Sequence, residues 1–156
     1  RNSMSIEFWK DRKNKEPNET LFSTVTEDEA KKVQAKATAT VNKPTQLRKF
    51  FDEIISFEAR YRMASGKAGS EEERMRIFKQ QLPFAHMLVP KAKYAEARKL
   101  VSSEFVELIR SSILDNLKEP DDLRILKSFF EAFTGYYKYH NSNSQPNDGY
   151  NRGGRR

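Results

Sequence analysis

PTQLRKFFDEIISFEARY, residues 44–61, is the stretch whose reading decides the fold. Leu47, Phe50, Phe51, Ile54, Phe57 and Tyr61 recur at the spacing of one helical face, so this is an amphipathic helix with an aromatic-rich buried side. Pro44 suits the first turn, where its missing N–H is no loss, and Thr45 is the alternative cap. The same stretch raises a question of charge. Arg48 and Lys49 stand near the start of the helix, the end whose partial positive charge favours anions.

Outward from this helix the pattern repeats. SGKAGS (65–70) ends it, and Ser70 with Glu73 fits a capping box for a helix carrying Met75, Ile77, Phe78 and Leu82. Pro83 and Pro90 bracket FAHMLV, read as a short helix or a buried turn. From Lys91 the spacing predicts a stripe of Tyr94, Ala97, Val101 and Phe105, followed by Leu108, Ile109 and Ile113. A last helix starts after Pro120, with Asp121 and Asp122 at its positive end and a wide face of Leu123, Leu126, Phe129, Phe130, Phe133 and Tyr137. Upstream, Thr26 and Glu29 fit a capping box opening a short helix through about Thr38. No segment alternates as a strand, and no loop carries a hairpin signal. The expectation is an all-α, compact bundle of five or six helices over residues 26–140. A flexible N-terminal arm, 1–25, precedes it, with Phe8 and Trp9 as a docking point, and a disordered basic tail, 141–156, follows.

Composition narrows the function classes. The 156 residues include 29 Lys and Arg against 22 Asp and Glu, a formal charge of +7 that suits an anionic partner such as nucleic acid. The absence of cysteine excludes disulfides and thiolate metal sites. No apolar run approaches the ~20 residues needed to span a bilayer, so the expected location is cytoplasmic, with no membrane partner.

Catalytic chemistry has little support at residue level. His86 and His140 are the two histidines, and neither lies in a recognised motif. Asp121 and Asp122, like the acidic run Glu71–Glu73, are accounted for by charge compensation at a helix start. No catalytic residue, metal site or cofactor is therefore expected. The cations are more informative. Arg48 and Lys49 either pair with Asp52 and Glu53 at i,i+4 on a solvated face, or join free helix-start amides in holding a phosphate. Lys49 and Arg60 fall on one side of the helix, about 16 Å apart along its axis. In PKAKYAEARK (90–99), Lys91 and Arg98 share a side if the segment is helical, a placement suited to backbone phosphate. Tyr94 either belongs to the apolar stripe or stacks on a base. Arg74, Arg76 and Lys79 read as partners of Glu71–Glu73.

TQLRKFFDEI, PKAKYAEAR and FFEAFTGYYKYH, in that order across residues 44–140, resemble the small helical subunit of type III-A CRISPR effector complexes, the Csm complex. The sister small subunit of type III-B complexes is the nearest confusable family. The resemblance implies a non-catalytic, all-helical scaffold subunit that stacks in several copies and lines the groove where guide RNA pairs with target RNA, for antiviral defence. Its implied partners are both RNAs, the guide-bearing backbone subunit, the large subunit and further copies of itself. It also implies RNA-backbone contacts at Arg48, Lys49, Lys91, Lys93 and Arg98, which Arg60 joins by its place on the helix. It shifts the question at Arg48 and Lys49 towards phosphate binding. The last helix either keeps its aromatics within the bundle or offers Tyr136 or Tyr139 to the next copy. The alternative to the whole reading is a helical protein–protein adaptor with incidental basic charge.

Overall fold

The computed structural model describes residues 5–144. Among them six α-helices form the bundle: α1 (Thr26–Ala35), α2 (Pro44–Ala64), α3 (Glu71–His86), α4 (Leu88–Ala97), α5 (Ser103–Leu114) and α6 (Pro120–Ser144). The expected all-α class and helix number hold. α6 is the axis, packing chiefly on α1 and then on α2, while α4 packs on α5. Its buried face is the predicted one, Leu123, Leu126, Phe129, Phe130, Phe133 and Tyr137, with Ile125 added.

The rings on that face are continuous. Phe129 meets Phe130 edge-on at 5.3 Å, Phe130 meets Phe133 at 5.8 Å, and Phe133 stacks on Tyr137 at 5.7 Å. Phe105 of α5 touches Phe133 at 6.4 Å and Phe50 of α2 at 5.2 Å. Three helices thus meet through one aromatic column. Each such contact adds about 0.5–1.5 kcal/mol beyond the area it buries.

The N-terminal segment corrects the flexible-arm expectation from Ser5 onward. Ile6 and Phe8 are core residues, and Phe8 extends the aromatic column by meeting Phe129 at 5.9 Å. Residues Trp9–Asp11 (β1) and Glu16–Pro17 (β2) form a short antiparallel hairpin, which no sequence signal had announced. Its turn places Lys15 in the left-handed region (φ 57°), where glycine or asparagine would be usual. The segment is fixed by polar groups from the α5–α6 junction. The Asn116 amide donates to the Ile6 carbonyl at 2.8 Å and accepts from the Phe8 N–H at 3.1 Å. Asp122 is fully buried, and its carboxylate accepts from Trp9 Nε1 (2.6 Å), Arg12 (2.8 Å) and the amides of Lys118 and Glu119. Burial alone would lower the pKa of Arg12, but hydrogen bonds to Asp122 and Glu119 outweigh it and the pKa is raised.

Other local expectations change for physical reasons. Thr26 does not cap α1. A π-helical turn, Leu21–Val25, runs directly into that helix, and the Thr26 hydroxyl donates to the Leu21 carbonyl at 2.6 Å. The Ser70 cap forms as predicted, its hydroxyl accepting from the Glu73 N–H at 3.1 Å. Helix α3 then continues through Pro83 to His86. Pro83 and Lys79 are both exposed, so water can satisfy the Lys79 carbonyl that loses its donor. Pro90 sits in the first turn of α4, where no N–H is required. At the C-terminus, α6 runs through Ser144, beyond the boundary expected at 141, and residues 145–156 of the expected tail lie outside the described residues.

Two outcomes test this packing. Asp122→Ala leaves Arg12 short of a carboxylate and two amides without an acceptor, and should cost about 2–3 kcal/mol in urea unfolding. Burial pushes the Tyr137 hydroxyl up to about 12 from an ordinary value of 10. The folded state therefore holds that proton more tightly, a contribution fully present below pH 10 and lost as pH rises towards 12. Denaturation curves at rising alkaline pH should show this component in the wild type and not in Tyr137→Phe.

Candidate nucleic-acid interface

The groove between α2 and α4 is built from the two helix starts and one unusual helix end. α2 begins at Pro44 with no acidic residue in its first turn. The Gln46 and Leu47 amides both donate to the Lys43 carbonyl, at 2.9 and 3.0 Å, and Pro44 has none to give. Few free amides remain at this terminus, so a phosphate held jointly by cations and helix-start N–H groups is not what the backbone offers. Any anion binding here rests on the side chains.

α4 ends in a Schellman motif. The Lys99 N–H donates to the Glu96 carbonyl at 2.8 Å, and the Leu100 N–H to the Ala95 carbonyl at 2.9 Å. Lys99 takes the left-handed conformation (φ 63°) that glycine usually fills there. This break overturns the predicted stripe from Tyr94 to Phe105. The buried face of α4 is Leu88, Val89, Ala92 and Ala95, while Tyr94 and Ala97 face outward. Tyr94 is 65% exposed, and the Arg98 guanidinium lies over its ring at 5.8 Å.

Asn42 holds the two sides of the groove in register. It is fully buried at φ 60°, and all its polar groups are engaged. Its side-chain amide donates to the Val33 carbonyl and to Ser102 Oγ, each at 2.9 Å, and its side-chain oxygen accepts from the Ser102 N–H at 2.9 Å. Its backbone N–H reaches the Leu100 carbonyl at 2.9 Å, and its own carbonyl accepts the Tyr137 hydroxyl at 2.6 Å. One residue thus ties the start of α2 to the turn after α4 and to the aromatic column.

Of the predicted cations, Lys49, Lys91 and Arg98 line this one groove, a cleft of about 150 Å³ shared with Gln46, Glu53 and Tyr94. Lys91 donates to Glu53 at 3.0 and 3.2 Å, pinning α4 to α2. Both groups are about half exposed, so the pair stabilises by no more than about 1 kcal/mol and Lys91 remains reachable. The anticipated Lys49–Glu53 pair is absent, and neither Lys49 nor Arg98 has a carboxylate partner among the described residues.

Arg48 points the other way. It lines a separate, mostly apolar groove of about 390 Å³ between α2 and α6, with Phe51 and Lys138. Its Nε lies 3.9 Å from Asp52 on an open face, the weak pair expected of a solvated position. Adjacent residues on a helix diverge by about 100°, which is why Arg48 and Lys49 line different grooves. Arg60 is exposed further along α2, donating to Ser56 Oγ at 2.9 Å over the Phe57 ring, and Lys93 is exposed outside the groove. Sequence reasoning did not place Gln46 in the site. Its place three residues before Lys49, nearly one full turn away on the same side of the helix, was the available signal.

Among the described residues no cluster of His, Asp and Glu is arranged to hold a metal. His86 sits at the end of α3, whereas His140 contacts Glu27 at 2.9 Å on α6. No helix of the described residues is long and apolar enough to cross a membrane.

A family model, Csm2 Type III-A, matches residues 23–143, the span from just before α1 almost to the end of α6. The chain belongs to the Csm2 family. It is therefore a subunit of a type III-A CRISPR complex and associates with other Csm subunits; Csm2 is a structural-subunit family. No curated protein and no solved structure matches the chain. The matched span begins after the β1–β2 hairpin, so the N-terminal segment stitched to Asp122 lies outside it.

The Schellman end of α4 yields a direct test. Lys99→Gly relieves a side chain held at positive φ and should raise unfolding stability by about 0.5–1 kcal/mol, read by urea denaturation.

Proposed function

We propose that this Csm2 chain is a non-catalytic scaffold subunit that binds RNA without sequence preference. In this reading it stacks in several copies within the type III-A complex, beside the guide-bearing backbone subunit and the large subunit, and follows the guide and target RNA. One observation carries the reading. Lys49, Lys91 and Arg98, from different helices, converge on one open groove with a single carboxylate among them. Contacts of this kind neutralise phosphates without reading bases, as a guide complex that accepts any target requires. Arg60 and Lys93 serve as flanking phosphate contacts on the exposed faces of α2 and α4, and Arg48 serves a strand passing the α2–α6 side.

Self-association is assigned to the outer face of α6. Tyr136 is half buried, with its hydroxyl donating to the Phe22 carbonyl at 3.1 Å, so its contacts are within the chain. Tyr139 is 59% exposed beside Phe22 and Gly135, and it is the aromatic available to a neighbouring copy. The same exposed aromatics favour the adaptor reading, which differs in predicting no RNA retention.

Lys49→Glu and Arg98→Glu should each keep the helical circular dichroism intact. Each should weaken binding to RNA of arbitrary sequence and reduce the slope of log K against log salt by about 1. Glu53→Gln removes the groove's one carboxylate and should tighten the same binding. Anisotropy titrations across a salt series read all three. Unchanged binding in both charge reversals, with intact association to other Csm subunits, would favour the adaptor.

A further inference from the structure

Tyr94 has no packing role that accounts for its position. It is a large aromatic, 65% exposed, on a helix whose buried face is made of Leu88, Val89, Ala92 and Ala95. Its ring lies against the Arg98 guanidinium at 5.8 Å, and it shares its cleft with Lys49 and Lys91. An exposed ring that shares its cleft with three cations presents a flat apolar surface close to groups that attract phosphate.

We infer that Tyr94 and Arg98 form a stacking platform for an unpaired nucleobase, so that this groove takes single-stranded RNA in preference to a duplex. The inference rests on the RNA-binding reading of the groove and adds to it the class of strand. Three features carry it. The cleft is small, about 150 Å³, the scale of one planar group. A base inside a duplex has both faces covered by its neighbours, whereas an unpaired base has a face to give to Tyr94. Arg98 polarises the ring it covers and can also reach a phosphate, while Lys49 and Lys91 line the same cleft. Gln46, half-buried at the rim, offers donor and acceptor groups to any base edge, which keeps the platform tolerant of sequence.

The experiment uses the full-length chain and anisotropy titrations with labelled oligonucleotides of one length. The strands are an unstructured RNA, the same RNA annealed to its complement, and a strand with abasic positions that keeps every phosphate. Tyr94→Ala should lose about 5- to 100-fold in affinity for the unstructured strand. It should leave duplex and abasic-strand binding, and the salt slope, unchanged. Tyr94→Phe should restore the wild-type affinity. Tyr94→Ala that binds the unstructured strand like wild type, or that weakens all three ligands equally, overturns the platform. Lys49→Glu that binds every ligand like wild type overturns the underlying RNA reading instead, so the two failures are told apart. The exposure of Tyr94 keeps the fold out of the comparison, which an unchanged thermal midpoint verifies.

Discussion

The column of rings along α6 is the constraint on which the rest of the molecule depends. Phe129, Phe130, Phe133 and Tyr137 follow one another along a single helix face, and α1 and α2 pack on this helix. Phe8 joins it from the N-terminal segment, and Phe105 carries it to Phe50 of α2. A chain whose apolar share is only 37% can close a core because its buried residues are large and share contacts. Removing one central ring would open a void touching several elements at once, a change that costs about 3–5 kcal/mol in comparable cores.

That column also positions the candidate surface, through a polar relay and not through the rings themselves. Tyr137 ends the column by donating to the Asn42 carbonyl, and Asn42 in turn grips the ends of α1 and of the α4–α5 turn. The start of α2 and the end of α4 are thereby held at a fixed separation. Lys49 and Arg98, which no contact within the chain neutralises among the described residues, face each other across it. Stability and charge presentation are divided between different groups. The buried amide sets the geometry, and the exposed cations remain free for a partner.

The legible parts of the fold were those written in local periodicity. The face of α2 from Leu47 to Tyr61, with Phe51 only partly covered, and that of α6 from Leu123 to Tyr137 are buried as their spacing predicts. The N-terminal segment was not legible, because Ile6, Phe8 and Trp9 are satisfied by Ser111, Asn116 and Asp122, more than a hundred residues away. A polar composition with few apolar residues resembles a loose arm unless those partners are known. The α4 stripe was misplaced because a lysine, and not a glycine, ends the helix at positive φ, so no breaker marked the change of phase. Within the candidate site, the wheel argument located Lys49 and the basic segment located Lys91 and Arg98. What it lacked was the distance between helices, which decides that these converge and that Arg48 lines another groove.

On the proposed reading, the α2–α4 groove is the main contact with the nucleic acid, and Arg48 on the α2–α6 side is secondary to it. Amide chemical-shift mapping of the full-length protein titrated with an unstructured RNA tests it most directly. On this reading, perturbations should be largest at Lys49, Glu53, Lys91, Tyr94 and Arg98, with smaller changes around Arg48 and Lys138. Perturbations centred on Arg48 and Lys138 with a silent α2–α4 groove would contradict it.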